Sequence, residues 1–125
     1  MRILTLLVVA ATLSGCVSTQ SSLLGATQAA APVAPASVAL YRTADQVERP
    51  YAEVALLNSS GDSMWTTEAK MFESMRLEAA RLGANGVILE PITEPSPGLK
   101  LAAAIFHVSA PRKGRALAIR TQPAQ

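Results

Sequence analysis

The chain has 125 residues, half of them hydrophobic and only 4% aromatic, with 11 Lys and Arg against 9 Asp and Glu and a single cysteine. That length makes one small domain, and one thiol excludes both an internal disulfide framework and a cysteine-rich metal site. The fold therefore rests on its apolar core alone.

Residues 1–15 have the three parts of an export signal. Arg2 supplies the positive start, residues 3–13 are an apolar run broken only by threonines, and Ser14 and Gly15 are the small residues before Cys16. The run is too short to span a bilayer as a helix. Leu13-Ser14-Gly15-Cys16 closely resembles the lipobox of bacterial lipoproteins, where the cysteine thiol is acylated and the peptide bond before it is cut. The resemblance implies lipid on Cys16, and two or three acyl chains hold a protein on a membrane almost permanently. Val17 stands where such lipoproteins carry an inner-membrane retention aspartate, so the resemblance implies the periplasmic face of the outer membrane. The sequence pI of about 9.0 invites a polyanionic partner, but export removes nucleic acid from the candidates.

After Cys16, residues 17–37 are mostly Ala, Ser, Thr, Gln and Pro with no charge, contain Pro32 and Pro35, and have Leu23-Leu24 as their one sizeable apolar pair. This composition reads as a flexible tether, so residues 16–37 carry the lipid and the linker. Fully stretched it reaches about 70 Å, and as a coil about 25 Å.

A small α/β domain is expected over residues 38–125. Residues 38–42 form a short strand, and 43–50 a polar turn. Residues 51–57 form a better strand, with Ala52, Val54 and Leu56 alternating with Tyr51, Glu53 and Ala55. Asn58-Ser59-Ser60-Gly61-Asp62 reads as a break. The main helix is expected over 66–82: Thr66 or Thr67 caps it, Met71, Met75, Ala79 and Leu82 make its apolar stripe, and Gly83 ends it. Glu73 with Arg76 and Glu78 with Arg81 are i,i+3 pairs on its outer face. Residues 87–89 follow as a central strand, apolar on both faces. Three prolines make 91–98 irregular. Residues 99–108 read as a strand and 115–121 as its antiparallel partner, joined by a basic turn over 109–114. The predicted fold is a small single-layer mixed sheet with a βαβ unit, one main helix packed on it, and a C-terminal antiparallel hairpin.

Tyr51-Ala-Glu-Val-Ala-Leu-Leu, with the helix ending Leu77-Glu-Ala-Ala-Arg-Leu-Gly-Ala-Asn-Gly-Val-Ile-Leu89, resembles the small α/β envelope families that include YbjQ-like proteins and the Rcs stress-sensor lipoprotein. About forty residues carry the resemblance. It implies a compact α/β envelope domain, capable of oligomerising, and brings no active site. The sensor's domain is stapled by disulfides, and this chain has no cysteine to match.

Charge is divided along the chain. Residues 38–94 hold five bases and nine acids, a net −4, while 95–125 hold Lys100, Arg112, Lys113, Arg115 and Arg120 with no acid, a net +5. Arg112, Lys113 and Arg115 are the candidate contact for anionic groups: lipid phosphates, lipopolysaccharide, peptidoglycan carboxylates, or the acidic part of an envelope protein or another copy. His107, the one histidine, reads as a packed strand residue. No Gly-x-Ser-x-Gly elbow accompanies it for serine catalysis, and no neighbouring ligands complete a zinc site. Met64, Met71 and Met75 read as core or helix-covering residues, and Trp65 as a staple at the helix start, with lipid or sugar contact as its alternative. No cofactor or metal is expected. The function expected is that of a non-catalytic outer-membrane lipoprotein in envelope binding, assembly or maintenance. A sensor or accessory subunit of an envelope-stress system is the alternative, and a periplasmic hydrolase the third reading.

Overall fold

Backbone pairing gathers the chain into one five-stranded sheet. The computed structural model describes residues 17–25, 30–62, 66–107 and 110–122; the signal segment, Cys16, Met64 and Trp65 lie outside the described residues. The elements are β1 (Ser18–Leu23), β2 (Ala39–Tyr41), β3 (Tyr51–Asp62), α1 (Glu68–Arg81), β4 (Gly86–Leu89), α2 (Pro97–Phe106) and β5 (Pro111–Thr121). The strand order is β1-β3-β5-β4-β2.

The mixed α/β sheet with one main helix is as expected. β3 and β4 each run antiparallel to β5, so they are parallel to one another, with α1 as their crossover. β5 lies between them, which makes the βαβ unit a split one. The C-terminal antiparallel pair is β4 with β5.

Thr67 caps α1 by accepting the Lys70 amide at 3.2 Å. Met71, Met75, Ala79 and Leu82 are all buried, as the helical spacing predicts. Met75, Ala79 and Leu82 belong to one core cluster with Val54, Leu57, Val87, Ala116 and Ala118, and Met71 lies by Gly114 of β5. Each fully buried large side chain here is worth about 1.5–3 kcal/mol. Gly114 allows the helix to sit close on β5, because a Cβ there would stand 2.8 Å from Met75 Cε.

Four expectations are corrected. Residues 99–108 are not a strand: α2 occupies Pro97–Phe106, with Ser96 capping it by accepting the Leu99 amide and Pro97 in its first turn. Residues 17–37 are not a free tether. β1 pairs with β3 from Ser18↔Ser60 to Leu23↔Ala55, and its Thr19 and Ser21 hydroxyls bond Ser74 and Glu78 of α1, each at 2.6 Å. Further on, Ala30 and Val33 donate amides to the carbonyls of Leu82 and Ala80. Residues 58–62 do not break β3, because β5 pairs with it through Asp62 and β1 flanks its other side through Ser60. Finally, a register shift between Glu53 and Ala55 moves the buried face from Val54 to Ala55, Leu57 and Ser59, leaving Leu56 exposed.

Candidate functional site

The predicted basic turn is the start of β5, and strand alternation divides it. Lys113 and Arg115 are exposed, while Gly114 and Ala116 are buried under α1. Arg112 belongs to the α1 side. Its Nη1 donates to the Thr66 carbonyl at 2.7 Å, and its Nε stands 2.8 Å from Glu94 Oε1. Arg112 is thus a clamp between β5, the start of α1 and the segment before α2, which corrects its reading as part of one anion-contact cluster.

Glu94 joins this clamp to the root of α2, its second oxygen lying 3.2 Å from Lys100 Nζ. Desolvation raises its pKa, but the hydrogen bond from Lys100 and the charges of Arg112 and Lys100 together outweigh that and hold the carboxyl below its ordinary value. Of the five C-terminal cations, Lys100 and Arg112 share Glu94, and Arg120 donates to the Gly83 carbonyl at 3.2 Å. Lys113 and Arg115 make no ion pair among the described residues.

These two cations line an open cleft of about 490 Å³ on the sheet face away from α1. Register builds it: Ser18, Ser60, Lys113 and Thr93 form one row across the sheet. Gln20, Asn58 and Arg115 form the next, with the Glu90 amide bonded to the Arg115 carbonyl at 3.0 Å. Glu90 also lines the cleft, so two cations edged by hydroxyls and amides face one acidic residue. The net positive balance suits phosphate or carboxylate groups.

His107 is not a packed strand residue. It is exposed and ends α2 in the left-handed conformation at φ 55°, with no hydrogen bond among the described residues. Also among the described residues, no group of three or more His, Cys, Asp or Glu is placed to hold a metal ion. Cys16 and Trp65 fall outside the described residues.

Sequence reasoning missed the exposed apolar surface of α2. Leu99, Leu101, Ile105 and Phe106 are 40%, 62%, 58% and 72% exposed, and no residue of the helix is buried. Ser96-Pro97 at its start and the run Ala102-Ala103-Ala104 were the available helix signals.

No family model and no curated protein sequence matches the chain. Among solved structures, the fold is similar to the crystal structure of a Francisella virulence factor, FvfA, in its orthorhombic form. The two share a TM-score of 0.56 at 12% identity, over 82% of this chain and 96% of that one. At that identity the likeness is one of fold.

Proposed function

We propose that the chain is a lipoprotein anchored through acyl chains on Cys16 at the periplasmic face of the outer membrane, with a non-catalytic role in envelope binding, assembly or maintenance. The carrying observation is Leu13-Ser14-Gly15-Cys16 at the end of a charged and then apolar leader. The exposed pair Lys113 and Arg115 supports a binding role toward anionic envelope groups. Labelled palmitate should enter the wild-type protein and not Cys16→Ser; equal incorporation by both removes the anchor.

A second reading is a sensor or accessory subunit of an envelope-stress system. It rests on the Leu82-Gly83-Ala84-Asn85 turn that resembles the envelope families. Gly83 takes its left-handed conformation here, and Asn85 hooks Thr121 through both side-chain atoms, at 3.0 and 2.8 Å.

A further inference from the structure

α2 is apolar around its whole circumference except for Lys100, which is held by Glu94. A helix of that kind is ordinarily buried. Here it buries no residue and makes no extensive contact with the sheet or with α1. At ten residues it is about 15 Å long, too short to cross a bilayer and suited to lying in its interface.

Its place in the fold says what covers it. β1 starts at Ser18 and runs from the end of the sheet where β3 finishes and β5 begins. α2 belongs to that same end: Thr93 pairs with Lys113 four residues before the helix, and Pro111 opens β5 five residues after it. Three strand spacings put Thr93 about 15 Å from Ser18 across the sheet. Only Val17 separates Ser18 from Cys16 in the sequence, a reach of about 7 Å. With β1 a strand of the sheet, a lipid on Cys16 leaves the domain little slack. Lys113 and Arg115, unpaired among the described residues, lie at this end as well.

We propose that α2 is a membrane-docking helix, which lays Leu101, Ile105 and Phe106 into the headgroup boundary of the leaflet holding the Cys16 lipid while Lys113 and Arg115 meet its anionic phosphates. This rests on the reading of Cys16 as the anchor. A second copy is the poorer occupant. The four exposed side chains offer roughly 400 Å², about half of the ~800 Å² per partner that a stable interface buries. A bilayer reached through an existing anchor needs no such area, because the anchor supplies the effective concentration.

The test uses the full chain, purified from membranes and reconstituted into vesicles of phosphatidylethanolamine and phosphatidylglycerol. Ile105→Cys carries an environment-sensitive fluorophore, Phe106→Cys is a second reporter, and Arg49→Cys is the control. Arg49 lies beyond the opposite end of β3, whose twelve residues span about 40 Å. Nitroxide-labelled lipids should quench 105 and 106, with blue-shifted emission, and leave 49 bright. Lys113→Glu with Arg115→Glu should lower that quenching to the level seen in phosphatidylcholine vesicles. Quenching at 105 and 106 no greater than at 49 overturns the proposal, including the case where a protein protects these positions in the native envelope. Palmitate incorporation reads the anchor separately, and the same reporters in a Cys16→Ser background, where the reporter is the only thiol, keep the docking helix without the anchor if they still quench.

Discussion

Gly83 stands at φ 75°, and a Cβ there would meet Ala30 Cβ and the Ala31 carbonyl oxygen at 2.7 Å. Conformation and space both require glycine at this helix end. The helix stripe and this turn were legible because local periodicity and one special backbone angle specify them. The pairing of Asn85 with Thr121, 36 residues away, carries no local signal. Glu78 belongs to the same class, since its i,i+3 partner was visible in the sequence and its bond from Ser21 was not. The Arg81 hydrogen bond lowers its pKa most, desolvation opposes this, and Ser21 lowers it further; the net shift is downward from 4.5. A carboxyl depressed in the folded state contributes stability that is complete above its unfolded pKa and is lost as pH falls through its folded pKa. Thermal melts of Glu78→Gln should therefore lose less stability than wild type as pH falls below about 4.5, with Glu94 supplying a remaining slope of the same sign. Identical acid slopes in the two proteins would contradict this role for Glu78.

At the scale of elements, β1 and α2 are the two that sequence patterns misread, for opposite reasons. Ser18-Thr19-Gln20-Ser21-Ser22 has no apolar alternation to announce a strand. It is held by the ladder to β3 and by hydroxyl contacts to α1, which composition cannot display. In α2, Leu101, Ala103 and Ile105 alternate as a strand would, but these residues fit a helix equally well. The Ser96 cap and the alanines decide between them. Because α2 buries no residue, its helicity contributes little to the rest of the fold. A proline inside a helix costs about 3 kcal/mol, so Ala103→Pro should unwind α2 and reduce helical circular dichroism. The stability of the remaining domain should stay within about 0.5 kcal/mol of wild type. A drop of several kcal/mol would mean that α2 is part of the cooperative core.

For the whole molecule, the sequence showed a basic C-terminal stretch, and the fold sorts its charges. Arg112 and Lys100 close on Glu94, Arg120 goes to the Gly83 carbonyl, and Lys113 and Arg115 are left facing the open cleft. That sorting depends on strand alternation and on contacts distant in sequence, so charge counting alone returned one cluster of three. The proposed anchor gives the sorting its meaning, because β1 starts two residues after Cys16 and shares an end of the sheet with the exposed cations and α2. The most direct measurement is the intact mass of the mature protein extracted from its native envelope, with fragmentation of its first residues. The account predicts a chain that begins at Cys16 and carries the mass of a diacylglyceryl group, with or without a further acyl chain. A chain that begins elsewhere, or one with an unmodified Cys16 thiol, would contradict it.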